Sequence, residues 1–274
     1  MADYDPAAHY DRVTRAWALL MGDDLHYGYF EDPAEPVATA SDRLTSLMIE
    51  HADLAPGLRV LDVGCGSGGP ASRLVAEHDV DLLGITTSAV GVDTARGRFA
   101  ALDLSGRFEQ RDGTDTGLPD ASFDRVWVLE ASHLMPDREA LIREAARVLA
   151  PGGRLVLCDI IRRREIGFLE LRERREEFAV LRAAFGAARM DPLSAYAEHA
   201  ARHGLTVDVE TDISAETRPT FAAWRANAER HHDAVVDLIG ADELDVFVRS
   251  LAILEGLWDD KTLGYGIFSA RRAG

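Results

Sequence analysis

Two stretches of this chain carry side chains whose types and spacing suit ligand binding or catalysis. The first is Asp62-Val63-Gly64-Cys65-Gly66-Ser67-Gly68-Gly69, which follows the apolar pair Val60-Leu61 and runs into a helical pattern opened by Pro70. Glycines here permit positive φ and let a ligand approach the backbone closely. The second is Glu130-Ala131-Ser132-His133-Leu134-Met135-Pro136, at the end of an apolar run, with Asp159 in Leu157-Cys158-Asp159-Ile160 further on. An imidazole with an unperturbed pKa near 6.5 is a usable base at physiological pH, and a carboxylate can orient it or stabilise its protonated form. His133 also reads as a solvated loop histidine, and Asp159 as a strand-end cap. Neither Cys65 nor Cys158 suits a reactive role: there is no C-x-x-C spacing, and both read as small buried side chains. His231-His232 reads as an exposed helical pair because no third ligand stands at convincing spacing, so no metal is expected. A nicotinamide fold is disfavoured on three counts. Asp62 lies inside the strand, the glycines follow G-x-G-x-G, and Gly84-Ile85-Thr86-Thr87-Ser88 lacks an acidic residue for a ribose.

The rest of the chain must position these groups. Its 274 residues suffice for one large domain or a domain with a smaller cap. Forty-seven acidic against thirty basic residues give a formal charge of −17, which repels phosphate backbones and anionic membranes, so neither nucleic acid nor membrane is an expected partner. No secretory signal or membrane-length apolar run is visible, and a cytoplasmic location is expected.

Helical periodicity predicts a helix from His9 to Met21 and another through Leu44, Leu47 and Met48, with Thr39 or Ser41 as N-cap. Strands are expected at Val60–Val63, Val80–Ile85, Arg107–Arg111, Phe123–Leu129 and Arg154–Ile161. Helices alternate with them, including Ser88–Ala100 and Arg138–Leu149, the latter ending in a Pro151-Gly152-Gly153 turn. That alternation means parallel βαβ units and an open doubly wound α/β sheet. After Ile161 the rhythm breaks into two or three Arg/Glu-laced helices over 162–203, a strand at Leu205–Val209, a helical pair over about 216–258 and a last strand at Leu263–Ser269. These helices are expected to form a partial lid over the carboxyl edge of the sheet, where ligands of open α/β sheets bind. Phe168, Phe178, Phe185, Trp224 and Trp258 are expected mainly in the core, with some lining the lid. The Arg162-Arg163-Arg164 run reads as a solvated, ion-paired face.

Val60–Gly69 resembles motif I of the class I S-adenosylmethionine-dependent methyltransferases. The likeness continues through Asp112, Leu118–Asp124, Arg147–Gly153, His26–Phe30 and Asp212-Ile213-Ser214, nearly the whole chain in order. It is most similar to bacterial natural-product enzymes of small-molecule type, sugar O-methyltransferases and tocopherol- or sterol-type C-methyltransferases. The resemblance implies a Rossmann-like, mostly parallel seven-stranded sheet. It implies a cap over 1–55, a cofactor core over 56–161, and a helical lid with the final strands over 162–274. The cofactor is then S-adenosyl-L-methionine, leaving as S-adenosyl-L-homocysteine. By the same resemblance Gly64, Cys65, Gly66 and Gly68 pass close to the cofactor's methionine part and Asp62 orders the loop. Asp112, beside Gly113, accepts from the adenine, Leu129 and Glu130 lie near the sulfonium, and Tyr10 and Tyr27 close over the carboxylate. Thr86 supplies the ribose hydroxyl contact, and Gly91 stands where Gln is usual.

Methyl transfer from a sulfonium is an in-line displacement, and alignment of nucleophile and methyl at about 3–3.5 Å contributes up to ~7–11 kcal/mol. A neutral hydroxyl acceptor also needs a base, worth about 10²–10⁴-fold. The expected reaction is therefore O-methylation of a small hydrophobic secondary metabolite, with His133 as base and Asp159 behind it. Two alternatives remain open: C-methylation of a prenyl olefin or indole, with a carboxylate such as Glu130 facing a developing cation, and a non-methylating cofactor-binding scaffold or cyclase. Homo-oligomerisation through the N-terminal helix is a further option.

Overall fold

The computed structural model describes the backbone of residues 6–274 and the side chains from Val13 onward, Thr14 aside. Helices α1 (Pro6–Met21) and α2 (Val37–Ala52) precede β1 (Arg59–Val63), α3 (Gly69–His78), β2 (Asp81–Thr86), α4 (Ala89–Ala101), β3 (Arg107–Gln110) and β4 (Phe123–Leu129). A single 3-10 turn, Ser132–Leu134, leads to α5 (Arg138–Val148) and β5 (Leu149–Arg162). Then come α6 (Phe168–Glu173), α7 (Arg175–Phe185), α8 (Leu193–Arg202), β6 (Leu205–Asp212), α9 (Ser214–Thr217), α10 (Thr220–Arg230), α11 (His232–Ile239), α12 (Ala241–Asp259) and β7 (Leu263–Arg272).

The strands form one seven-stranded sheet in the order β3-β2-β1-β4-β5-β7-β6. The first five run parallel, and β7 enters antiparallel between β5 and β6. Successive strand residues face opposite sides, so Val60, Leu82, Trp127 and Val156 pack toward α1–α4 and α10–α12. Leu61, Leu83, Val126 and Leu155 pack toward α5 and α8 on the other side. Burial on both faces explains why the central strands read as continuous apolar runs.

Strand order reverses between β1 and β4, so the loops that follow them lead off to opposite faces and open a crevice at the carboxyl edge. The glycine loop and the Glu130–His133 segment occupy those two positions. The helical lid is present: α7 packs on α12, and α1 on α10 and α11. Trp17, Phe185, Phe247 and Trp224 link these helices through ring contacts of 5.7, 6.0 and 6.5 Å.

Local differences from expectation have physical reasons. Helix α2 is capped at Pro36 without a side-chain hydrogen bond, because buried Ser41 donates instead to the His26 carbonyl. Strand β5 starts at Leu149 rather than Arg154. A register shift against β4 between Phe123 and Arg125 absorbs Pro151-Gly152-Gly153, with Gly152 at φ +75°. The expected pair after 216 is a short turn of helix and three longer helices, broken at His231 and at Gly240. Phe168 is 78% exposed instead of buried, since α6 is a short outlying helix with no buried residue.

Candidate active site

A cavity of about 990 Å³ opens at the carboxyl ends of β1, β2 and β4, roofed by α1, α7 and the 186–190 loop. Gly64, Cys65 and Gly66 form one wall. Gly64 sits at φ +81°, and a Cβ there would lie 2.2 Å from Cβ of Ala131, so the β1 and β4 loops touch through it. A Gly64→Ala protein is expected to lose about 2–4 kcal/mol in chemical denaturation, from the left-handed backbone and the overpacked contact. Gly68 lies behind this wall, capping α3 and backed by Ala95. Gly91 opens α4, where a Cβ would press to 3.1 Å from the Gly66 carbonyl. That contact gives a physical reason for glycine where the resemblance anticipated glutamine.

The polar groups of the wall come from the strand ends. Asp62 is 3% exposed and lines the cavity. Among the described residues nothing donates to its carboxylate, and burial pushes its pKa up to about 7. Thr86 accepts from the Ser88 amide at 3.2 Å and faces the same space. Asp112 is held in a turn, Oδ1 accepting from both the amide (2.8 Å) and the hydroxyl (2.7 Å) of Thr114. Gly113 is buried beside it, with no room for a side chain against Val63. Leu129 and Glu130 complete this side.

Glu130 adopts φ +48°, a costly conformation for a non-glycine residue. Three bonds hold it there. Its amide donates to the Cys158 carbonyl at 2.9 Å, while Oε1 accepts from the Tyr27 amide at 2.7 Å and the Tyr265 hydroxyl at 2.5 Å. Burial pushes the carboxyl up to about 7 against the opposing pull of those donors. The Tyr27 ring is packed among Trp258, Trp224, Tyr265 and Phe221, stacked on Trp258 at 5.6 Å. Tyr10 falls in α1, and its side chain lies outside the described residues.

His133 lines the cavity and Asp159 stands behind it, fully buried. The imidazole Nδ1 is 2.6 Å from Asp159 Oδ1, and the His133 amide donates to Oδ2 at 3.0 Å. Asp159 accepts two further bonds, from the Ile160 amide at 2.7 Å and the Ser132 hydroxyl at 2.5 Å. The Tyr196 hydroxyl closes the network on Ser132 at 2.7 Å. Burial lowers the imidazole pKa, but the carboxylates of Asp159 and Glu130 outweigh it, and the pKa ends above its ordinary 6.5. For Asp159, burial is outweighed by His133 and the hydrogen bonds, and the pKa ends below its ordinary 3.8. With Nδ1 directed at Asp159, Nε2 is the nitrogen left to act on a ligand.

Sequence reasoning therefore placed His133 with Asp159 but missed Ser132, Tyr196 and Tyr265. Ser132 sat inside the quoted motif. Tyr196 and Tyr265 come from α8 and β7, and only the sheet topology brings them near. Phe178, Phe185 and Trp224 line the cavity, and Trp258 packs in the core behind Tyr27.

Comparison with known proteins agrees with this geometry. The profile of the mycolic acid cyclopropane synthetase family matches residues 2–263. The chain is 36% identical to 27-O-demethylrifamycin SV methyltransferase of Amycolatopsis mediterranei, over 96% of this chain and 95% of that one. It superposes on the 4+2 cyclase SpnF with a TM-score of 0.82 at 28% identity, covering 97% and 95% of the two chains. It superposes on the mycolic acid cyclopropane synthase CmaA1, complexed with SAH, with a TM-score of 0.86 at 21% identity over 97% of both. With a strand order that opens its crevice beside the glycine loop, and a family match over almost its full length, this chain belongs to the mycolic acid cyclopropane synthetase family of class I S-adenosylmethionine-dependent methyltransferases.

Proposed function

We propose that this enzyme transfers the methyl group of S-adenosylmethionine to a hydroxyl oxygen of a hydrophobic natural product in an antibiotic-type pathway, with His133 as the general base. The single observation that carries this is the 2.6 Å contact of His133 Nδ1 with buried Asp159. It fixes the imidazole with Nδ1–H toward the carboxylate and leaves Nε2 with the lone pair. The proton taken from the acceptor hydroxyl then rests on an imidazolium that Asp159 and Glu130 stabilise. Asp159 acts through His133 and is a positioning residue. The name of the rifamycin-type relative supports oxygen as the acceptor atom.

The other half of the cavity has the residues that would hold the donor. When bound, S-adenosylmethionine supplies an activated methyl on a sulfonium. Gly64, Cys65 and Gly66 would give it backbone to lie against, Gly68 holds the helix start behind them, and Asp62 offers a carboxylate that has no partner among the described residues. Asp112 and Gly113 would take the adenine and Thr86 the ribose, while Leu129, Glu130 and Tyr27, together with Tyr10 as the resemblance implies, would enclose the methionine end. In this reading residues 1–274 form one methyltransferase domain, with its cap over 1–55, core over 56–161 and lid over 162–274. The enzyme is placed in the cytoplasm in this reading; among the described residues no helix is long and apolar enough to cross a membrane.

Titration calorimetry with S-adenosylmethionine, S-adenosylhomocysteine and NAD tests the donor site. Binding of the first two, abolished in Asp112→Ala and absent for NAD, is the expected result. Because burial pushes the Asp62 carboxyl up to about 7, the carboxylate form that attracts the cationic donor is lost as pH falls. Affinity for S-adenosylmethionine should drop about tenfold or more from pH 8 to pH 6, and Asp62→Asn should make the profile shallower, with Glu130, also pushed up to about 7, supplying the remaining dependence. Radiolabelled methyl transfer to 27-O-demethylrifamycin SV and to a panel of phenols and glycosides tests the acceptor. Label recovered on carbon rather than oxygen would replace the O-methyl reading with the C-methyl one. Tight cofactor binding without transfer to any acceptor would favour a cyclase, as SpnF is.

A further inference from the structure

The charged residues lining the cavity are largely sorted by side, with Asp24 before α2 and Arg111 after β3 as exceptions. The carboxylates Asp62, near the end of β1, and Asp112 and Glu130, which follow β3 and β4, lie on the floor where the cationic donor would sit under the proposed function. The lid contributes two arginines to the lining, Arg182 in the last turn of α7 and Arg189 in the loop beyond it. Among the described residues neither has a carboxylate partner. Three other lid arginines are paired: Arg163 to Asp212 at 2.7 Å, Arg164 to Glu170 at 2.7 Å and Arg174 to Asp260 at 2.8 Å. The Arg111 guanidinium, also on the cavity, is tied to Glu109 at 2.6 Å.

In a chain of net charge −17, two arginines that have no carboxylate partner among the described residues share one cavity wall. Their backbone is also fixed. The Arg182 carbonyl accepts from Gly186 at 2.9 Å, at the turn that ends α7, and the Arg189 amide donates to the His133 carbonyl at 2.8 Å. That second bond ties the arginine-bearing loop to the residue that carries the base.

We propose that Arg182 and Arg189 read an anionic oxygen group, carboxylate or phosphate, on the methyl acceptor, so that the natural substrate is an acidic hydroxylated molecule. The inference rests on the methyltransferase reading for its orientation, with the acceptor entering from the lid side. A planar guanidinium presents forked donors that match both anions, and the anion would be held on the lid while the hydroxyl reaches His133. Apolar Phe178, Leu181 and Phe185 on the same face of the lid would cover the carbon skeleton between them.

Equilibrium binding to the S-adenosylhomocysteine-loaded enzyme tests this without requiring turnover. Three probes share one skeleton: 6-hydroxy-2-naphthoate, 6-hydroxy-2-naphthyl phosphate and neutral 6-hydroxy-2-naphthamide. The wild type should bind the better anion about tenfold more tightly than the amide, with the advantage shrinking as salt rises. The stronger of the two anions identifies which group the site takes. In Arg182→Gln/Arg189→Gln the preference should vanish while affinity for S-adenosylhomocysteine and the melting temperature stay unchanged, both side chains being exposed. Equal binding of all three probes, binding of none, or a preference that survives in the double variant overturns the proposal. So does loss of S-adenosylhomocysteine affinity in that variant, which would assign the arginines to the cofactor's own carboxylate. Methyl transfer is scored separately on S-adenosylmethionine-loaded enzyme, so failure of the methyltransferase reading leaves the anion result standing.

Discussion

Replacing His133 by asparagine is expected to lower kcat by about 10²–10⁴-fold while leaving the dissociation constant for S-adenosylhomocysteine nearly unchanged. Asparagine keeps an N–H to direct at Asp159 Oδ1, which in the wild type lies 2.6 Å from the imidazole, but it cannot take a proton. The loss therefore reports on base chemistry more than on packing. The pH profile supplies a second readout. His133 must be neutral to act, and its pKa lies above the ordinary 6.5. In the wild type at saturating cofactor, kcat should fall with decreasing pH through a midpoint above 6.5, and in His133→Asn this limb should disappear. A variant that retains most of the wild-type kcat, with the acidic limb intact, would exclude the base role. Attack by an olefin or indole carbon needs no proton removed before the methyl moves. A small effect on transfer to carbon would then direct attention to Glu130 and its Tyr265 contact.

How much of this site was legible before any coordinates follows from what each contact depends on. The glycine loop and the Glu130–His133 segment each lie within a few residues of a strand end. Strand periodicity and the βαβ alternation suffice to bring them together at the crevice. Asp159 was equally accessible, because β5 pairs in parallel with β4 and sets Cys158 against Leu129, one residue before Glu130. Tyr265 was hidden for the opposite reason. It reaches Glu130 because β7 inserts antiparallel between β5 and β6, facing Ile160 across the ladder, and nothing in its local sequence encodes that insertion. Tyr196 was hidden because its apolar helical spacing reads as core, which it also is: its ring is 1% exposed, and only its hydroxyl joins the Ser132–Asp159 network. The lid escaped in another way. Its helices were expected, but breaks such as His231 are set by tertiary packing, and local propensity is a weak guide there.

The change expected to disturb both fold and catalysis most is Asp159→Asn. All four partners of this carboxylate can act as donors toward it: the amides of His133 and Ile160, the Ser132 hydroxyl and the His133 ring at Nδ1. An asparagine offers one acceptor oxygen in place of two and turns its amino group toward donors on the other side. With the amino group toward Oδ1's partners, it meets the Ile160 amide, and His133 can accept from it only by moving its proton to Nε2. With the amino group toward Oδ2's partners, it meets the His133 amide, and the serine hydroxyl must rotate. Either arrangement leaves a buried donor unpaired, which costs about 1–3 kcal/mol, and the first removes the lone pair from the nitrogen that faces the acceptor. We expect Asp159→Asn to lower kcat by about 10²–10⁴-fold, comparable to losing the base itself, with a measurable fall in unfolding free energy. The pH dependence separates an ion pair from simple packing. Asp159 has a depressed folded pKa, so its contribution is present above the ordinary 3.8 and is lost as pH falls through the lower folded value. His133 has a raised one, so its contribution is fully present below 6.5 and is lost as pH rises through the higher folded value. The stability gap between wild type and Asp159→Asn, followed by urea unfolding, should therefore be widest between about pH 4 and pH 6.5 and narrow on both sides. A gap that is constant across that range would mean that Asp159 serves the fold through neutral hydrogen bonds alone, and that His133 is not charged against it.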